Sequence, residues 1–286
     1  MPPLGPTVHR RQLGAELRRL REAAGLTIET AAKALATSQP RISRIETGKG
    51  RYTLKPPDVR TLCELYSVTD ERKIDMLVSM LTVSQQRGWW EDFESVLPSG
   101  LEVYVGLESD ARAERGCEPN LVHGLLQTAD YARTVLLIGG QHRLRDVDDL
   151  LQVRMERQKL LTRDESPLEL WAILDEAVIR RPLGGADVIR DQLRHLIDMS
   201  DMPNITIQVI PFSASGGHPG LAGPFSILEF EEDTPVVYVE SQAGNLYLEK
   251  KQDIRRYTGM FDLLRAMALA PAESTALLRA AATDMK

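Results

Sequence analysis

"ATSQPRISRIETGKG", Ala36 to Gly50, decides the first part of the fold, because it sets a proline in the middle of a row of side chains that otherwise reads as helix. With Ser38 as the helix N-cap, Gln39 and Pro40 take the first helical positions, where a backbone N–H has no partner and proline does little harm. Ile42 and Ile45 then fall three apart on one apolar stripe, while Gln39, Arg41, Ser43 and Arg44 project away and Gly48 supplies a left-handed stop. The expectation is a two-turn helix with a polar, hydrogen-bonding outer face. Taken alone it reads as a solvated surface helix, so its neighbours decide its meaning.

Upstream, Leu13, Leu17, Leu20 and Ala24 recur at three and four residues, an amphipathic pattern that Gly25 ends. Thr27 can cap a second helix through Thr30, Ala31, Ala32 and Ala34, whose small side chains let the next helix approach closely. Leu35, Ala36 and Thr37 make the turn. Downstream lie a basic loop, "GKGRYTLK", and a fourth helix from about Pro56 to Tyr66 with Val59, Leu62, Cys63 and Tyr66 on one side. Short helices with a tight turn between the second and third make a helix-turn-helix head over residues 1–68.

"LRRLREAAGLTIETAAKALATSQPRISRIETGKG" resembles the lambda-repressor-like, or Xre-type, DNA-binding family. The resemblance implies that the helix starting near Gln39 enters the major groove, where Gln and Arg pair bidentately with adenine and guanine edges. Gln39 and Arg44 are then the expected base contacts, with Ser43 and Arg41 flanking. Thr27, Lys49 and Arg51 stand where the family binds phosphate, contacts that position a domain without reading sequence. Arg21 and Glu46 match a pair that bridges the first helix to the end of the third. Ile28 departs from the family, which usually has a polar residue there that touches the DNA backbone.

The charge distribution agrees. The 286-residue chain carries a net charge of −6, but residues 1–68 hold twelve Lys and Arg against six Asp and Glu, leaving the remainder at −12. A basic head on an acidic body is expected when one module meets phosphate and the other does not. Cys63 and Cys117, with no CxxC and no histidine at ligand spacing, argue against a metal site or a disulfide framework. No apolar stretch reads as a signal peptide or a membrane span, so the expected location is the cytoplasm.

A helix with Ile74, Met76, Leu77, Met80 and Leu81 leads toward "QQRGWWEDF", and residues 69–95 read as a helical linker with a hinge at Gly88, Trp89 and Trp90. The tryptophans are expected to anchor that linker on the body; a dimer interface is the alternative. Residues 96–286 read as helices first, over "LEVYVGLESDARAE", "LVHGLLQTADYARTVLL" and "VDDLLQVRMERQKLLTR". Strands follow, over "LELWAILDEAVI", "ITIQVIPF", "FSILEF", "VVYVES" and "NLYLE", with a helix over "ADVIRDQLRHLIDMS" and two closing helices from about Gln252 and Pro271. The fold class expected is an all-α helix-turn-helix head followed by a larger α+β domain with a largely antiparallel sheet.

The loop "PFSASGGHPGLAGPF" is longer than a hairpin needs, yet no phosphate-cradle or dinucleotide fingerprint accompanies it, and no cofactor is expected. His218 could act as a base beside Asp175 or Glu176, but no motif marks a nucleophile, and Arg180 and Arg181 read as surface charge. The body is therefore not expected to be an enzyme. From "QRGWWEDF" through "EPNLVHGLLQTADYAR", "LDEAVIRRPLGG" and "HPGLAGPFSILEF", the chain resembles a family of actinobacterial, antitoxin-like regulators that join an Xre-type head to a conserved body of unknown function. His123 stands where many members have proline. The resemblance implies a transcription regulator whose body binds a small cognate protein; a homodimer on an inverted repeat of double-stranded DNA is expected because one short recognition helix reads only a few base pairs. A body that senses a small molecule, or a hydrolase brought to DNA, are the competing readings.

Overall fold

The computed structural model describes residues 5–48, 54–98, 100–138, 144–214, 217–231, 233–241 and 244–285. The chain divides into two compact units, Met1–Glu91 with Val103–Asp110, and Asp92–Glu102 with Ala111–Lys286.

The first unit is helical: α1 (Pro6–Ala23), α2 (Ile28–Ala34), α3 (Gln39–Glu46), α4 (Pro56–Leu65), α5 (Glu71–Ser84) and most of α6 (Leu101–Asp110). Its core gathers Leu13, Leu17 and Leu20 of α1, Ala31 and Ala32 of α2, Ile42 and Ile45 of α3, Val59, Leu62 and Cys63 of α4, and Ile74, Leu77 and Leu81 of α5. Burial of each large aliphatic side chain contributes about 1.5–3 kcal/mol. Gly25, at φ +68, stops α1, and Ala36, at φ +47, turns the chain between α2 and α3. Gly14 sets the helix spacing, because a Cβ there would stand 2.2 Å from the carbonyl oxygen of Ile45. Trp90 is buried, packed against Gly88 and against Gly106 of α6, and meets Trp89 edge-on at 5.9 Å between ring centroids.

The second unit is α+β. Its strands are β1 (Ala113–Glu118), β2 (Glu169–Asp175), β3 (Ile205–Ile210), β4 (Phe225–Glu229), β5 (Val236–Ser241) and β6 (Gly244–Leu248), in the order β3-β2-β1-β4-β5-β6. β1 and β2 pair parallel, as do β2 and β3; β1 with β4, β4 with β5 and β5 with β6 are antiparallel. The sheet is thus mixed, largely but not fully antiparallel. Helices α7 (Ala129–Ile138) and α8 (Leu144–Gln158) precede β2; α9 (Glu176–Arg180) and α10 (Ala186–Met199) connect β2 to β3; α11 (Lys251–Met267) and α12 (Pro271–Asp284) close the chain. Cys117, Ile173, Ile210, Phe225, Ile227 and Val237 pack on Phe261 and Leu264 of α11.

Three sequence expectations are corrected. The stretch read as one helix, "LEVYVGLESDARAE", ends at Asp110, and β1, the strand between the parallel and antiparallel parts of the sheet, begins at Ala113. Its polar face hid it: Glu114 is fully buried and pairs with His123 Nε2 at 3.1 Å. "LVHGLLQ" is a short 3-10 turn, with helix beginning at Ala129. Side chains hold that turn in place of helical bonds. Gln192 Nε2 donates to Leu126 O at 2.7 Å, its Oε1 accepts from Thr128 N–H at 2.7 Å, and Gln127 Nε2 donates to Val122 O at 2.7 Å. Finally, the strand over "LELWAILDEAVI" stops at Asp175, whose carboxylate caps α9 by accepting from Ala177 N–H at 2.7 Å.

Candidate nucleic-acid interface

The helix-turn-helix is α2, a four-residue turn and α3. Thr27 stands at the N-cap of α2, where its Oγ1 accepts from Thr30 N–H at 3.2 Å and shares a hydroxyl contact of 3.0 Å with Thr30 Oγ1. Thr27 therefore combines a capping bond with an exposed position at the start of α2. Ser38 takes the N-cap of α3 with extended backbone, but its side chain makes no capping bond. Pro40 lies in the first turn, where its missing N–H leaves nothing unsatisfied. Gly48 stops the helix at φ +62 and sits against Arg11, whose Cα would be 2.9 Å from a Cβ at that position.

Within α3 the division of faces is sharp. Ile42 and Ile45 are each 1 % exposed, while Gln39, Ser43 and Arg44 are exposed and Arg41 is half-buried, its Nη1 at 3.5 Å from Thr37 Oγ1. Ile28, at the start of α2, packs on the core. Lys49 and Arg51, the two remaining residues of the expected interface, lie outside the described residues.

Several charges of the head are paired within it. On α1, Arg18 pairs with Glu22 at 2.8 Å and Arg19 with Glu16 at 2.7 Å; on α2, Lys33 pairs with Glu29 at 2.8 Å; on α4, Arg60 pairs with Asp75 at 2.8 Å. The guanidinium of Arg19, seconded by Lys73, holds the Glu16 carboxyl at about 2 against the opposing effect of burial. Among the described residues, Gln39, Ser43 and Arg44 make no side-chain hydrogen bond or ion pair. Their donors and acceptors are uncommitted there, and Arg44 carries a charge that no acid among the described residues neutralises. Direct readout of base edges needs groups of this kind.

Arg21 and Glu46 fix the angle at which α3 is presented. Arg21 Nε and Nη2 donate to the two carboxylate oxygens of Glu46 at 2.6 and 2.8 Å, and Nη1 donates to Leu26 O at 2.8 Å. Both side chains are buried, and the Glu46 hydrogen bonds raise the Arg21 pKa above its ordinary value. The fork ties α1 to the last turn of α3 and to the turn before α2.

In the second unit the structure brings together residues that the sequence had only grouped. His218 Nε2 lies 2.9 Å from Asp175 Oδ2, and Glu176 Oε2 accepts from Phe212 N–H at 2.8 Å, so both acids of "LDEAVIRRP" hold the loop that follows β3. Arg180 pairs with Glu176 at 3.1 Å and Asp284 at 3.0 Å, while Arg181 is exposed. No group of three His, Cys, Asp or Glu side chains among the described residues is arranged to hold a metal ion. No helix among them is long and apolar enough to cross a membrane.

Residues 12–73 match the profile of a family described as a helix-turn-helix domain, and residues 101–280 match one described as a domain of unknown function, DUF5753. Searches of curated proteins and of solved structures returned no match. The helix-turn-helix marks a DNA-binding regulator, and the chain belongs to the DUF5753 family.

Proposed function

We propose that this protein is a sequence-specific transcription regulator of the lambda-repressor-like, Xre type, that it binds an inverted repeat as a homodimer, and that its second unit binds a small cognate protein in the manner of antitoxin-like regulators. The observation that carries the DNA-reading role is the uncommitted face of α3: Gln39, Ser43 and Arg44, exposed and unpaired among the described residues, backed by Ile42 and Ile45. Gln39 and Arg44 read bases, Arg41 and Ser43 flank them, and Thr27, Lys49 and Arg51 contact phosphate. The protein acts in the cytoplasm and is not an enzyme in this reading.

The dimer follows from readout. One eight-residue helix covers only a few base pairs, too few to single out a site among a genome's competitors. Two heads on one face of B-DNA place half-site centres about 34 Å apart, or a multiple of that. The apolar residues of the head are used in its own core, so dimer contacts are assigned to other parts of the chain.

The experiment is selection of bound genomic fragments, then footprinting and light scattering on the selected site. Two protected half-sites and a dimeric mass support the reading. A monomer protecting a single half-site contradicts it. Mixing in the small protein encoded beside this gene then tests the partner: a 1:1 rise in mass supports it, and an unchanged mass removes it.

A further inference from the structure

Gly259 stands in the middle of α11, a helix of 17 residues, and no described residue lies within 4 Å of the Cβ it lacks. Glycine weakens a helix interior, because it gives up a freer backbone than any other residue and adds no side-chain contact. Other helical glycines of this chain have a neighbour that requires them: Gly14 meets the Ile45 carbonyl, and Gly106 meets Thr7 and Trp90. Gly259 is exposed, with open space in that place. Its absent side chain leaves room for the backbone of another molecule.

The glycine is the centre of an outward face. With about 3.6 residues per turn, Arg255, Arg256, Gly259, Asp262 and Leu263 share one side of α11, and all are exposed, Leu263 to 52 %. Phe261 and Leu264 take the opposite side and pack on the sheet. Apolar surface continues beyond the helix. Leu246 of β6 points to the same side of the sheet as Leu248, which packs in the α11 core, yet Leu246 is exposed; so is Leu221, in the turn Pro219–Ala222 beside α11.

The charges choose the occupant. Arg255 makes no hydrogen bond or ion pair among the described residues, and Asp262 reaches Arg265 only at 3.7 Å. Arg255 lies a turn before Gly259 and Asp262 nearly a turn after it, both to the same side of the glycine, with Arg256 and Leu263 to the other. Two such faces laid antiparallel across Gly259 bring each Arg255 level with the opposite Asp262, and each Arg256 stem level with the opposite Leu263. A parallel arrangement would set Arg255 on Arg255. The face is complementary to itself, as a two-fold interface requires. We propose that α11 packs antiparallel on α11 of a second copy of this chain, with Gly259 at the crossing and Arg255 paired to Asp262 of that copy. This rests on the homodimer reading above and names the contact it assigns outside the core of the head.

Sedimentation velocity over a concentration series of the full chain at low ionic strength tests it. The unaltered chain is expected to be dimeric, and Arg255→Glu and Asp262→Arg each to raise the dimer Kd at least about ten-fold, because each sets two pairs of like charges together. Mixing the two variants should restore the dimer, since both contacts then join opposite charges, a result that misfolded variants could not give. Gly259→Gln, a better helix former, should raise Tm while weakening the dimer by a similar factor. A monomeric unaltered chain removes the homodimer reading and the proposal with it. A dimer unchanged in the charge variants or in Gly259→Gln, or charge variants that do not recover on mixing, overturns the proposal and leaves the homodimer reading standing.

Discussion

Arg21→Met tests whether the orientation of α3 depends on the buried fork. The substitution keeps an unbranched apolar stem but removes two hydrogen bonds to Glu46 and one to Leu26 O. Glu46, 6 % exposed, is then left as a buried carboxylate without its cation. Breaking one side of such a pair costs about 3–5 kcal/mol, much of it the desolvation of the stranded charge. Removing both charges, in Arg21→Met with Glu46→Leu, should recover most of that loss, because two apolar side chains strand nothing. Hydrogen exchange followed by mass spectrometry on the full chain reads the helical unit by itself. Peptides covering Leu13–Leu20 and Ile42–Glu46 should lose protection roughly 10²- to 10³-fold in the single variant, since each factor of ten is about 1.4 kcal/mol. A loss under about five-fold, or a double variant worse than the single, would refute the claim that the fork holds α1 to α3.

The Gly14 contact predicts that Gly14→Ala destabilises the same unit by about 1–3 kcal/mol, despite the better helix propensity of alanine, because the new methyl meets the Ile45 carbonyl backbone; unchanged exchange over α1 and α3 would contradict this. Glu118 behaves differently with pH. Burial, opposed by the charge of His123, pushes its carboxyl up to about 7 from the ordinary 4.5. The folded chain keeps this proton where the unfolded chain has lost it, so its contribution to stability falls as pH rises from about 4.5 to 7 and stays low above that. Glu118→Gln should accordingly stabilise the second unit at pH 8, by at most about 3 kcal/mol, and have little effect near pH 4.5. Thermal melts at the two pH values check the sign.

The helix-turn-helix was legible because each of its signals is local. Gly25, Thr27, Pro40 and Gly48 mark starts and stops that depend on φ and on single capping bonds, and Ile42 with Ile45 needs only helical spacing. β1 was not legible: Glu114, Gly116 and Glu118 alternate on one face, a pattern that normally means solvent. What covers Glu114 and Gly116 is His123, from a segment that Gln127 and Gln192 hold in place. The pairing of His218 with Asp175 was nameable from residue type.

The central claim is that the uncommitted face of α3 reads bases, and competition binding tests it most directly. Affinities of the unaltered chain, Gln39→Ala, Arg44→Ala and Lys49→Ala are measured on the selected operator and on random duplex at one salt concentration. The account predicts that Gln39→Ala and Arg44→Ala each lose about 1–3 kcal/mol on the operator and little on random DNA, while Lys49→Ala weakens both. Equal losses on operator and random DNA for all three would contradict it, because these side chains would then be holding phosphate rather than reading sequence.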